Sequence, residues 1–209
     1  MNLTGKLLLA TATVAALSSG ALAADLSMPM KPAPIMAPAA STSWDGPYVG
    51  AKIGYGWGTL DAGAPIGSAS TTGFLAGAQI GYNFHLSDAI VAGVEGDLDW
   101  SNETATLGAA PNNGYRTNWD GAVLGRLGVD LNGILPYAEA GVAFANGTWG
   151  GNTATHTGWT AGLGVQFMLA DQLSADVQYR YSDYGSQTYG NTSAHLTDNV
   201  VSVGLNYHF

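Results

Sequence analysis

The 209-residue sequence contains no cysteine, which removes a disulfide framework, thiolate metal sites, a lipid-modified cysteine anchor and a cysteine nucleophile together. Charge is scarce too: Asp, Glu, Lys and Arg make up 10% of the chain, against about 25% in an ordinary soluble domain. Six basic residues face fifteen acidic ones, a net charge of -9, so no cationic surface exists to displace counterions from a nucleic-acid backbone. Past the amino terminus, no apolar run approaches the about 18 residues of a spanning helix. Water is therefore not expected to be this chain's only solvent, and helices are not expected to meet the other one.

Glycine is abundant at 30 residues, without a collagen period, and 46% apolar residues with six Trp, ten Tyr and five Phe argue against a disordered chain. Lys6, the uncharged apolar run over 7–17 and the triplet Ala21-Leu22-Ala23 have the layout of a secretory signal, with cleavage expected after Ala23. That run is too short for a membrane anchor. Residues 24–43 carry Pro29, Pro32, Pro34 and Pro38 with no apolar period, and are expected to form an extended periplasmic leader. The folded domain is expected over 44–209.

From Val49 onward the pattern repeats every second residue. Val49, Ala51, Ile53, Tyr55 and Trp57 share one face, while Gly50, Lys52, Gly54, Gly56 and Gly58 share the other. A strand separates these sets, whereas a helix would scatter them. Seven further alternating segments follow, over 73–85, 90–101, 119–130, 137–144, 158–169, 173–182 and 200–209. In all eight, one face carries no charge. The other carries ten charged residues: Lys52, Glu95, Asp97, Asp99, Asp120, Arg126, Asp130, Glu139, Asp176 and Arg180.

A sandwich exposed to water would crowd its polar face with Lys and Glu; here that face is mostly glycine and other small residues. Small side chains suit the interior of an eight-stranded barrel, which is only wide enough for side chains to fill. Charge avoidance suits a face against lipid, where Arg or Lys at the midplane costs roughly 2–4 kcal/mol. Short connections (86–89, 131–134 with Asn132-Gly133, and 170–172) alternate with long ones (59–72, 102–118, 145–157 and 183–199), so one rim is tight and the other long.

Outward aromatics divide into two groups. Trp57, Phe74, Trp100, Trp119, Phe144, Trp159 and Tyr181 lie toward the long-loop end, and Tyr82, Phe84, Phe167, Tyr207 and Phe209 toward the other. Two girdles of this kind mark the boundaries of a bilayer. The pattern predicts an all-β, eight-stranded antiparallel up-and-down transmembrane barrel.

Trp44-Asp45-Gly46-Pro47-Tyr48-Val49-Gly50 and Gly54-Tyr55-Gly56-Trp57-Gly58 resemble the first strand of the small alphaproteobacterial outer-membrane surface-antigen family, often labelled porin family or outer membrane immunogenic protein. The resemblance continues through Gly125-Arg126-Leu127-Gly128, Leu135-Pro136-Tyr137, Gln178-Tyr179-Arg180-Tyr181, Asp183-Tyr184-Gly185 and the final segment Val203 to Phe209. It implies an OmpA-like barrel in the outer membrane of a Gram-negative envelope. It also implies that the terminal aromatic Phe209, with Tyr207 before it, serves as the recognition signal for the outer-membrane assembly machinery.

Other motifs carry less. Gly50, Gly54 and Gly58 match a small-x-x-x-small pattern, but that packing mechanism needs helices, and Gly54-x-Gly56 precedes no helix that could complete a phosphate loop. The acceptor-like Asn102-Glu103-Thr104 and Asn146-Gly147-Thr148 are ordinary in Asn/Thr-rich loops. No histidine has metal-site spacing. His156, His195, Ser182 and Asp183 are the residues from which a lipid-modifying site at one rim would have to be built.

The functional expectation is a non-enzymatic, cofactor-free barrel that supports the envelope and displays loops for contact with a host or cell-surface ligand. Outer-membrane lipid and lipopolysaccharide are its expected surroundings. The ten lumen charges are read as a packed ionic plug; a narrow cation-preferring porin and a lipid-modifying enzyme are the alternatives.

Overall fold

The computed structural model describes residues 44–209 apart from 65–66, 107–113, 150 and 190–191. The signal peptide with its cleavage point after Ala23, and the leader over 24–43, lie outside the described residues.

The described chain is a closed antiparallel sheet: β1 (Gly46–Asp61), β2 (Ser68–Ser87), β3 (Ile90–Ser101), β4 (Thr104–Thr106), β5 (Gly114–Val129), β6 (Ile134–Trp149), β7 (Asn152–Ala170), β8 (Leu173–Tyr189) and β9 (Thr192–His208). Strands β3 and β4 both pair with β2 and β5, so they are two pieces of one stave and the ring has eight. The break falls at Asn102, whose side-chain carbonyl accepts from the Phe74 amide at 2.8 Å and replaces a ladder bond locally. The ring closes where β1 pairs with β9 over fourteen residues, from Tyr48 opposite His208 to Asp61 opposite His195. Closure satisfies backbone groups that lipid cannot.

Turn chemistry explains the tight rim. Asn132 and Gly133 hold φ of 57° and 93°, the double left-handed conformation of a type I′ hairpin. At the same rim the Phe209 amide donates to the Pro47 carbonyl at 3.1 Å, tying the last residue to the first strand.

At the other rim the structure corrects the sequence reading. Most of the residues assigned to four long loops are strand: β1 runs on to Asp61, β5 starts at Gly114, β6 reaches Trp149, β7 starts at Asn152 and β9 starts at Thr192. The reason is the solvent. Above the girdle the outward face is wet, so Thr, Ser and Asn replace apolar residues there and the contrast between faces disappears, although inward positions remain buried.

The side chains sort as the alternation predicts. Ile53, Phe74, Ile80, Trp100, Val123, Leu163 and Phe209 are among the most exposed apolar residues, whereas Lys52, Glu95, Asp99 and Arg180 are buried. This inversion of an ordinary core is what a lipid surround requires.

Candidate functional site

The lumen is filled by side chains that reach across it, and glycine makes the room. Tyr48 lies opposite Gly81, and Tyr137 opposite Gly164; each phenol leans over its glycine so closely that a Cβ there would overlap the ring. Asp99 occupies the equivalent space over Gly77. Glycines on the inward face are thus seats for neighbouring side chains.

Two charged clusters result. Near the tight rim, Arg126 Nη1 donates to Glu95 Oε2 at 2.8 Å, and the Tyr48 hydroxyl accepts from Arg126 and donates to Glu95, each at 2.5 Å. The guanidinium lies 3.8 Å over the Tyr137 ring and its Nη2 donates to Gln166 at 3.3 Å. From there Gln166 donates to Ser174 at 2.7 Å, and Ser174 contacts His208 Nε2 at 2.9 Å. A second cluster sits farther along the axis. Asp97 and Asp99 of β3 receive Lys52 of β1 at 3.3 and 3.0 Å, and Arg180 of β8 at 2.5 and 3.4 Å. Strands β3 and β8 are not neighbours in the ring, so Arg180 spans the lumen.

The remaining predicted lumen residues fall into place separately. Glu139 accepts from Gln178 at 2.7 Å, and Asp176 accepts from Asn206 at 2.8 Å and Gln79 at 3.3 Å. Asp120 is buried opposite Asp99 in the ladder and lines a cavity of about 10 Å³ with Glu103 and Asp198. That is room for about one water. Among the described residues no base lines this cavity.

Asp130 does not join the lumen network. It follows β5 at the tight rim, where it accepts from Trp44 Nε1 at 3.1 Å and from the Asn132 amide at 2.9 Å. Turn geometry claims the carboxylate before the lumen can. Beside it His85 contacts Asp45 at 2.8 Å and Asp130 at 3.6 Å, and the hydrogen bond that its ring donates to Asp45 raises the imidazole pKa above its ordinary 6.5.

The residues imagined for a lipid-modifying site are divided by the wall. His156 and Ser182 point inward and are buried, whereas His195 and Asp183 face outward, 3.3 Å apart. Among the described residues no group of His, Asp and Glu has the arrangement of a metal site. Sequence reasoning missed Tyr48, Gln79, Gln166, Glu103 and Asp198. Tyr48 obeys the same parity, two positions before Gly50, whereas the amides carry no charge that would mark them in the sequence.

The girdle aromatics all point away from the lumen. Tyr55 and Phe74 pack edge to face at 5.2 Å, Trp159 and Tyr181 meet at 5.4 Å, and Tyr207 and Phe209 at 5.1 Å near the tight rim. Trp57, Trp100 and Trp119 join the first belt; Tyr82, Phe84 and Phe167 stand exposed with the second.

A closed ring with an apolar, aromatic-banded exterior and a charged, packed interior defines a transmembrane β-barrel of the bacterial outer membrane. The chain belongs to the outer membrane protein beta-barrel domain family, whose model matches residues 9–209. It is 34% identical to the 25 kDa outer-membrane immunogenic protein of Brucella canis, over 97% of each chain. The 31 kDa outer-membrane immunogenic protein of Brucella melitensis is 28% identical, over 95% of this chain and 98% of that one. Among solved structures, Neisserial surface protein A superposes with a TM-score of 0.55 at 19% identity, covering 79% of this chain and 98% of its own; this likeness concerns the fold. The protein resides in the outer membrane.

Proposed function

We propose that this protein is a non-conducting, non-enzymatic outer-membrane barrel whose role is to brace the envelope and present its outer rim at the cell surface. The observation that carries this reading is the Arg180 bridge. It joins β8 to Asp97 and Asp99 of β3 across the lumen, with side chains no more than 5% exposed. An open path would leave such groups wet and free to choose other partners. The tight rim is filled as well, by Trp44 and Tyr48, which pack against His208 at 5.8 and 5.4 Å between ring centres. A surface role is supported by the word immunogenic in the names of the Brucella relatives. The division of His156 and Ser182 from His195 and Asp183 supports the absence of lipid-modifying chemistry.

A second reading, a narrow cation-preferring conduit, draws support from the excess of buried carboxylates over buried bases. Planar-bilayer recording of the purified full-length protein separates the two. The plug predicts no steady unitary currents. Steady cation-selective channels that respond to Arg126→Ala would overturn it.

A further inference from the structure

The outer wall above the long-rim girdle differs from one side to the other. On one side Asp61 of β1 and Asp183 of β8 face outward, the latter paired with His195. From β2 round to β7, the described outward positions at that level carry no carboxylate and one charge, Arg116. Lys52, Arg126 and Arg180 are all buried, so among the described residues Arg116 is the exposed one of the Lys and Arg side chains, in a chain with net charge -9. It lies three residues from the girdle residue Trp119. The ladder with β6 bulges between Thr117 and Trp119, so the rise is about two residues; at ~3.3 Å per residue and ~40° of tilt, that places it roughly 5 Å above the indole along the axis. The headgroup layer occupies about 5–8 Å outside the hydrocarbon on each side.

Beside Arg116 runs a hydrogen-bonded row of neutral groups. Asn118 Nδ2 donates to Asn146 Oδ1 and to Thr148 Oγ1, both at 3.1 Å; Asn146 Nδ2 donates to Thr155 Oγ1 at 3.1 Å; Thr148 and Thr153 hydroxyls are 3.0 Å apart. The row crosses three strands, about 10 Å at ~4.8 Å per spacing. Amides and hydroxyls held in line offer donors and acceptors together, the pattern that sugar hydroxyls match. Immediately below, Trp119, Val123 and Trp159 present an apolar surface.

We infer that this face of β5 to β7 holds a phosphorylated glycolipid of the outer leaflet. Arg116 meets a phosphate, the Asn/Thr row meets the sugar hydroxyls, and the girdle residues below meet the acyl chains. Charge complementarity chooses the side, because the opposite wall would repel the same headgroup. A glycerophospholipid would use the arginine and the apolar surface but leave the row across the three strands without a partner. The assignment stands whether or not the lumen conducts.

The test uses the full-length protein folded in neutral detergent, titrated with bis-phosphorylated lipid A, with the same lipid dephosphorylated, and with phosphatidylglycerol, read by native mass spectrometry. A charge-assisted bond predicts that Arg116→Gln weakens the phosphorylated glycolipid about tenfold and leaves the dephosphorylated form unchanged. Asn146→Ala weakens both glycolipids, and Asp183→Asn neither. Heat-modifiable migration reports that each variant is folded. Equal affinity of Arg116→Gln and the parent for bis-phosphorylated lipid A would overturn the assignment. So would an equal loss for phosphatidylglycerol, which would mark a contact indifferent to sugar.

Discussion

The two ends of the lumen solve the same problem differently. Toward the tight rim, the Arg126–Glu95 pair is enclosed by Tyr48, Tyr137, Gln166, Ser174 and His208, so the buried charges have fixed partners. Toward the long rim, Glu103, Asp120 and Asp198 share a small cavity with no base among the described residues that line it. Between them the Lys52, Asp97, Asp99 and Arg180 cluster balances two bases against two acids. Removing one member of a buried ion pair strands the other, whereas removing one of several crowded like charges relieves repulsion. The ends should therefore respond to substitution with opposite signs.

The largest effect is expected at the bridge. Arg180→Ala leaves Asp97 and Asp99 with Lys52 alone, and should lower the unfolding free energy by about 3–5 kcal/mol. Equilibrium urea unfolding in lipid vesicles, followed by tryptophan fluorescence, measures this. A loss below about 1 kcal/mol would show that the lumen is hydrated and the pairing inessential. Next in size is Gly81→Val, which removes the seat of Tyr48 and should lose about 1–3 kcal/mol by overpacking. Tyr48→Ala in the same chain should recover part of that loss, and strict additivity would contradict the seat.

At the acid-rich end the sign reverses. Asp198→Asn should leave stability unchanged or raise it by less than about 1 kcal/mol, measured in the same unfolding assay. A loss comparable to that of Arg180→Ala would erase the distinction between the ends. The smallest effect belongs to the tight rim outside the hydrocarbon. The His85 pKa is raised by the hydrogen bond that its ring donates to Asp45, so its contribution is fully present below the ordinary pKa of 6.5 and disappears as pH rises through the higher folded value. Stability compared between the parent and His85→Gln should converge as pH increases from 6 toward 9. Divergence in that window would mean that the imidazole is held neutral.

The membrane-embedded part of the fold was legible in the sequence because lipid enforces alternation without exception: Ile53, Trp100 and Val123 had to be apolar and Lys52, Asp99 and Arg126 had to be hidden. Above the girdle that constraint lapses. Thr153, Thr155 and Thr157 look like loop residues, yet they form the outward side of β7. The charge inventory of the lumen could be read from parity, but its pairing could not. Arg126 pairs with Glu95, while shear and tilt assign Asp97, two residues along the same face, to Lys52 and Arg180. Asp130 shows the limit of parity itself, since a turn two residues away captured its carboxylate. Neutral partners such as Gln166 and Asn206 carry no signature until the wall opposite them is known.

The absence of cysteine makes one measurement decisive for the central claim that the lumen is packed and the outward face meets lipid. Ser202 is buried on β9 between outward-facing Val201 and Val203. Ser202→Cys, reconstituted in vesicles, should resist a small charged methanethiosulfonate reagent and become fully labelled only after denaturation. Rapid labelling of the folded protein at that position would show water in the lumen and contradict the account.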